Sequence, residues 1–271
     1  MEKKRASLLS EMTWPEVEEL RKTVDLAILP VGANDNNGMH SPLGTDTIVA
    51  SGVAQRLGEL TGCLVAPAIP WGNSTVQMGF PGTMHVRCSV LSELVRDLCR
   101  SLATHGFRRI LIINGHMSNN WPINDIGHEL REEGILMALI DWWRVMWHVS
   151  MDLAKGDYLP EGHGGEMNTS CVMAFRPDLV DLSKAERLAP APGFFSKYLL
   201  PHYPRVFVYP EYREQMGEKG AMGDPTKSSV EQGKAIVERG LKFLAELVDD
   251  MRKAPLPERT DVSRYPRWAS G

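Results

Sequence analysis

Two stretches of this chain carry the residue types that chemistry needs, and a histidine stands between them. The first runs from Ile28 to Asp46: an apolar run that empties into Gly32, Asn34, Asp35, Asn36, Asn37 and Gly38, followed by His40 and Asp46. Two carboxylates, an imidazole and three amides at a strand end could floor a metal or substrate site, because in open α/β sheets ligands gather beyond the carboxyl ends of the strands. Asn, Asp and Gly are also the usual residues of a solvated turn, so this stretch alone leaves both readings open. The second, Glu161 to Ser170, sets His163 and Glu166 on either side of a double glycine. Placed at a helix N-terminus, Glu166 would gain from the positive end of the dipole and stay ionised, as a metal ligand must. Between them Asn114-Gly115-His116 follows directly on Arg109–Ile113, the plainest buried strand in the sequence. A histidine there is often one satisfied inside a core. The flanking Gly and Asn favour the crevice instead, since they let the backbone turn sharply and approach a ligand.

The elements that would position these residues follow from hydrophobic period and punctuation. Strands are expected at 26–31, 63–69, 109–113 and 135–140, and helices at 47–60, 89–105 and 124–133 between them. That alternation predicts βαβ units, a parallel sheet and right-handed crossovers. Asp46 then stands just before a helix, at or near its N-cap. Thr13-Trp14-Pro15-Glu16 reads as the start of an N-terminal helix, with a cap residue and a proline in the first turn. A further helix is expected from Asn168 through Phe175, and a long amphipathic one at 229–253. The loop from Trp71 to Thr83 is long enough to be functional and is expected to form a substrate wall. A Pro-rich excursion is expected over 184–215, and a mobile tail from Ala254 after a single domain spanning 1–253.

Bulk properties exclude several classes. The 271 residues are 43% hydrophobic and 24% charged, with net charge −4 and pI near 6.1, and there is no basic tract to bind nucleic acid. No uncharged run reaches the roughly 18 residues of a membrane span, and the polar first residues lack a signal peptide's apolar core, so a cytoplasmic protein is expected. Four dispersed cysteines, with no C-x-x-C pair, argue against a structural zinc site or a redox motif.

Five motifs in order add a resemblance. Pro-Val-Gly-x5-Gly-x-His-x-Pro-Leu-Gly-Thr-Asp (30–46), Phe-Pro-Gly-Thr (80–83), Asn-Gly-His (114–116), Gly-His-Gly-Gly-Glu-x-x-Thr-Ser (162–170) and Gly-Asp-Pro-Thr (223–226) together resemble the creatininase (creatinine amidohydrolase) family over roughly residues 11–250. The resemblance implies a three-layer α/β/α fold around a mostly parallel sheet, an oligomer that is often a hexamer, and hydrolysis at a Zn²⁺ or Mn²⁺ site. Carried over, the metal ligands fall on Asp35, Asp46, His116 and Glu166. The family's first acid is commonly Glu, so Asp35 sets its carboxylate back by one methylene. Histidines of the family fall on Asn37 and Gln77, and an acid of creatininase itself falls on Ser118. Neutral amides are weak zinc ligands, which leaves one or two ions per subunit open, and with them a single-metal enzyme or a site for a harder ion such as Mn²⁺ or Mg²⁺.

These residues support a metal-dependent hydrolase that opens a small cyclic amide, or cleaves a related C–N amide bond, by attack of metal-bound hydroxide. His163 is expected to shuttle the proton, with Glu166 beside it in the catalytic set. His40 either replaces a missing imidazole ligand or supports one from behind. Trp71, Ser74, Gln77 and Trp142 are expected to line the pocket of a polar cyclic substrate. Two alternatives stand beside this: a C–C bond hydrolase of a cyclic polyhydroxy ketone, suited by the many amides, and a degenerate member that binds without catalysis.

Overall fold

Alternation within the central strands builds the layers. In β2 (Leu26–Val31), Leu26 and Ile28 point to one side of the sheet while Ala27, Leu29 and Val31 point to the other, and β4 (Arg109–Asn114) divides in the same way. Strands buried on both faces have no polar side, which is why they read as continuous apolar runs. The computed structural model describes residues 7–189, 213 and 217–260. Its sheet has five parallel strands in the order β1-β3-β2-β4-β5, where β1 is Ser7–Leu8, β3 is Leu64–Val65 and β5 is Leu136–Asp141.

Helices cover both faces. One layer contains α1 (Trp14–Leu20), α3 (Cys88–Thr104), α4 (Asn120–Asp125) and α5 (Gly127–Glu132), packed on Leu29, Ile110 and Ile112. The other contains α2 (Thr45–Thr61), α6 (Trp142–Ser150), α7 (Glu166–Met173) and α8 (Val230–Lys253), packed on Ile28, Leu111 and Ile113. This is the three-layer α/β/α sandwich expected. At the start of α1, Glu16 accepts from the Thr13 backbone N–H at 2.6 Å and from its hydroxyl at 2.7 Å, the reach-back of a capping box. The helix expected at 124–133 is two short helices that meet at Ile126. Strand β1 had no signal, since two residues show no period.

The expected excursion at 184–215 lies largely outside the described residues, as does the tail beyond Thr260. The tail's first part is bonded to the body, Thr260 donating to the Glu132 carbonyl at 2.8 Å and Arg108 to that of Pro257 at 3.2 Å.

The register decides where a site can form. Val31 is level with Asn114, and Asn114 with Asp141, so the loops after β2, β4 and β5 leave the sheet at one height. A bridge from Val31 to Ile69 brings the loop after β3 to the same edge.

Candidate metal centre

Asp46 lies in the first turn of α2, which begins at Thr45, slightly earlier than the sequence suggested. His116 leaves β4 beside it, and Gly115 is what permits the approach: a Cβ there would stand 2.3 Å from the Asp46 carbonyl oxygen. Asp35 is carried by the loop after β2, which is closed by its own N–H donating to the Leu43 carbonyl at 2.9 Å. All three side chains are buried, and one ligand atom from each lies within 4.8 Å of the others. Among the described residues this is the one cluster of three or more acids, histidines or cysteines with a spacing that could hold a metal ion.

The hydrogen bonds orient these groups towards a shared point. His116 Nε2 lies 3.0 Å from the Asn73 carbonyl, which can only accept, so Nε2 carries the hydrogen. That leaves Nδ1 facing Asp46 Oδ2 at 2.8 Å and Asp35 Oδ2 at 3.5 Å. A backbone carbonyl holding the far nitrogen of a histidine is the usual support of a metal-ligating imidazole. Ser74 donates to Asp35 Oδ2 at 2.6 Å, while Asp35 Oδ1 is buried with no hydrogen-bond partner. Both polar atoms of the Asn37 amide are likewise buried and unpartnered. Burying such atoms unmatched is costly, and a carboxylate oxygen placed in this way fits a cation-binding role.

The electrostatics agree. Burial pushes the Asp46 carboxyl up to about 6, against the lowering effect of His116. Burial alone would pull the His116 imidazole down, but the charge of Asp35 and the hydrogen bond that His116 donates to Asp46 overcome it and hold it up to about 9. The raised His116 imidazole stands where a divalent ion would bring more positive charge. Two carboxylates and one imidazole are the donor set that suits Zn²⁺ or Mn²⁺.

The structure places the other expected residues as follows. His163 is half-buried, with Nε2 2.8 Å from the Asn36 carbonyl; desolvation lowers its pKa, opposed by Asp35, and the His116 charge lowers it further. It therefore belongs to the neighbourhood of the cluster. Glu166 does not join the cluster: Oε1 accepts from the Lys155 N–H at 2.6 Å and from Gln232 Nε2, and Oε2 accepts from the Gly156 N–H at 2.7 Å. Those bonds tie the loop before His163 to the start of α8. His40 does not join it either. Its Nε2 meets Thr169 Oγ1 at 2.9 Å, and burial drives its pKa down to about 4 in spite of a bond to the Gly164 backbone. Gln77 is buried near Asn36, and Trp71 is exposed. Trp142 is in the core rather than in a pocket, with its ring so close to Gly240 that a Cβ there would be 2.5 Å from it.

Sequence reasoning missed the loop scaffold. Asn119 Nδ2 donates to the Gly32 carbonyl at 2.9 Å and its Oδ1 accepts from the Asn73 N–H at 2.8 Å, joining three loops with one side chain. Asn114 holds the backbone of His116 through both its amide atoms, at 2.7 and 3.0 Å. The adjacent Asn residues around the strand end were the available signal.

A doubly covered parallel sheet carrying a buried Asp-Asp-His cluster beyond its strand ends defines a metal-dependent hydrolase fold and site. The family profile described as creatinine amidohydrolase matches residues 10–248, and the chain belongs to this creatininase family. Creatinine amidohydrolase of Pseudomonas putida is 30% identical over 90% of this chain and 96% of its own length. A mycofactocin precursor peptide peptidase of Mycobacterium ulcerans is 28% identical over 99% and 95%, and 3-dehydro-scyllo-inosose hydrolase of Thermotoga maritima 28% over 98% and 92%. Among solved structures, a putative creatinine amidohydrolase from Bacteroides fragilis superposes with a TM-score of 0.78 at 27% identity, covering 94% of this chain and all of that one. A mutant creatininase of Zn-Zn type gives 0.76 at 28%, covering 91% and 98%. The chain is a metal-dependent amidohydrolase of this family.

Proposed function

We propose that the protein hydrolyses a C–N amide bond of a small polar substrate at a single divalent cation, Zn²⁺ or Mn²⁺, held by Asp35, Asp46 and His116. The observation that carries this is the buried, unpartnered Asp35 Oδ1 beside the Asp46–His116 pair. A cation there would polarise the scissile carbonyl and lower the pKa of a water from 15.7 to about 7.

The chain's own groups do the rest. Asp35 and Asp46 supply the negative charge that holds the ion, and Ser74 fixes one Asp35 oxygen so that the other keeps its direction. His163 donates Nε2–H to the Asn36 carbonyl, so the lone pair is on Nδ1. Burial lowers its pKa and keeps it neutral at pH 7, a base that can take a proton at Nδ1 and return it to the departing nitrogen. Glu166 acts on that step by anchoring the loop that carries His163.

The polyhydroxy ketone reading rested on a surplus of amides. In the structure Asn34 donates to the Gly82 carbonyl at 3.0 Å, Asn36 to that of Gly220 at 2.6 Å, and Asn119 holds loops, which supports the amide substrate over the hydroxylated ring. For assembly, the hexamer implied by the family resemblance is the proposal. Four free cysteines suit a reducing, cytoplasmic setting, and among the described residues no helix is long and apolar enough to cross a membrane.

The test is a hydrolysis screen of metal-stripped protein reloaded with Zn²⁺ or Mn²⁺, comparing cyclic amides, acyl peptides and inososes. Metal-dependent turnover of an amide, lost in Asp46→Asn and His163→Gln, supports the proposal. Turnover of inososes alone, or turnover untouched by chelation, refutes it.

A further inference from the structure

Asp141 ends β5 level with Asn114 at the end of β4, and the side chain of Asn120, at the start of α4, bridges the two. Resting on the metal centre proposed above, we infer that Asp141 and Asn120 are positioning residues: with Asn114 they form a row of hydrogen bonds of fixed direction that holds the backbone of His116 and so aims its Nδ1 at the ion.

Both ends of the row dictate its direction. The buried Asp141 carboxylate can only accept, Oδ1 from the Trp143 N–H at 3.0 Å and Oδ2 from Asn120 Nδ2 at 2.8 Å. With its amino group turned that way, Asn120 offers Oδ1 to Asn114 Nδ2, also at 2.8 Å. At the other end the His116 N–H can only donate, and it meets Asn114 Oδ1 at 3.0 Å. The His116 carbonyl can only accept, and it meets Asn114 Nδ2 at 2.7 Å. The two demands agree, with each amide facing the one way that satisfies its neighbours. Asn114 is fully buried, so taking Asn120 away strips one of its Nδ2 hydrogens of an acceptor where water cannot replace it.

Asp141 reaches the same turn by a second arm. Its Oδ1 caps α6 at Trp143, and the Trp143 indole N–H donates to the Gly115 carbonyl at 2.6 Å. The peptide group joining Gly115 to His116 is therefore pinned at both polar atoms, the carbonyl by Trp143 and the N–H by Asn114. Since a peptide group is planar, two pins fix its plane and with it the direction in which the His116 side chain leaves. Both pins trace to one carboxylate. Groups that orient a metal-ligating histidine are typically worth 10–100-fold in metal affinity, so this support is measurable.

Two other roles for Asp141 can be separated from this one. Its charge is felt at Asp46, where, behind burial, it is one of the causes that raise the carboxyl. Arg144 Nε lies 3.6 Å from Asp141 Oδ2 on an exposed side chain, an ion pair of the kind that contributes little. Charge and hydrogen-bond direction predict opposite results at position 120. A further negative charge there would tighten cation binding, whereas two carboxylates face to face would part and break the row.

The measurements are Zn²⁺ affinity at pH 8, by chelator competition, and hydrogen exchange of the His116 N–H in the metal-free protein. Asp141→Asn keeps the α6 cap, since an amide oxygen also accepts, but turns an amino group towards that of Asn120. This variant and Asn120→Asp are each expected to bind Zn²⁺ about tenfold more weakly and to exchange the His116 N–H about tenfold faster. Combining the two substitutions restores the direction with the carboxylate moved one place along, and the double variant should lie within threefold of the native protein on both measures. Asn120→Ala leaves the cap and the charge in place and should show the same loss, which decides the matter even where Asp141→Asn fails to fold. Arg144→Gln should match the native protein. Tighter Zn²⁺ binding in Asn120→Asp would leave Asp141 a charge role alone and overturn the proposal. So would a double variant no better than the single ones, native-like values in Asn120→Ala, or a tenfold loss in Arg144→Gln. The exchange rates are read without metal, so a failed metal centre, seen as no Zn²⁺ binding by the native protein, is distinct from a failed row.

Discussion

The raised pKa of His116, beside Asp35 and Asp46, makes metal affinity depend on pH in a way that can be worked out. His116 is protonated below about 9 in the metal-free site, because two carboxylates face it. An entering ion needs Nδ1 unprotonated, so binding releases that proton. Between about 6, where Asp46 also begins to protonate, and about 9, the apparent Kd should therefore rise tenfold for each pH unit lowered. From pH 8 to 6.5 that is about 30-fold, or about 2 kcal/mol. Competition for Zn²⁺ with a chromophoric chelator gives the affinity, and calorimetry in two buffers of different ionisation enthalpy gives the proton count, expected to be about one. In Asp35→Asn one of the two charges is gone, so the proton count at pH 8 should fall towards zero while affinity also falls. A Kd that stays level from pH 8 to 6.5, or binding without proton release in the native protein, would refute the reasoning.

Three further outcomes follow from the same geometry. Glu166→Gln should keep full metal content, since the Glu166 oxygens are engaged by Lys155, Gly156 and Gln232, and should lose about 2–3 kcal/mol in urea unfolding from a weakened charged hydrogen-bond set; selective loss of metal from a stable variant would count against it. Gly115→Ala should place a methyl group 2.3 Å from the Asp46 carbonyl, forcing the start of α2 away from β4, with about 1–3 kcal/mol lost in stability and weaker Zn²⁺ binding in the same titration. His40 is buried with a pKa near 4, below its unfolded value of about 6.5, so its contribution is complete above 6.5 and lost as pH falls towards 4. The gap corresponds to about 3 kcal/mol, and His40→Gln should unfold with a correspondingly shallower loss between pH 6.5 and 4.

The sheet was legible because its central strands are apolar on both faces. Arg109–Asn114 and Leu26–Val31 have no polar side to confuse with a helix. Helix ends were less so: α2 begins at Thr45, before the apolar period starts, which moves Asp46 from a capping position into the first turn. Within the site, Asp35 and His116 share a signature, a ligand-type side chain just past a strand end with glycine nearby, while Asp46 opens the helix that follows the first of those loops. His40 and Glu166 carry the right chemistry in the right motifs, yet their partners are a threonine hydroxyl, a glutamine and backbone N–H groups. Which N–H groups gather round a carboxylate depends on loop conformation, and loop conformation has no period to read. Trp142 follows a strand as His116 does, but lies under α8 where Gly240 leaves room for its ring. The amides divide for the same reason, since only the folded loops show that Asn119 and Asn114 bond backbone while Asn37 does not.

The central claim is that one cation sits among Asp35, Asp46 and His116. Anomalous scattering from crystals soaked in Zn²⁺ or Mn²⁺ tests it most directly. The expected result is a single peak per chain, bonded by Asp35 Oδ1, an Asp46 oxygen and His116 Nδ1, with Glu166 still on the Lys155 and Gly156 N–H groups. A peak ligated by Glu166 or His40, or well-ordered density for the three side chains with no ion between them, would contradict it.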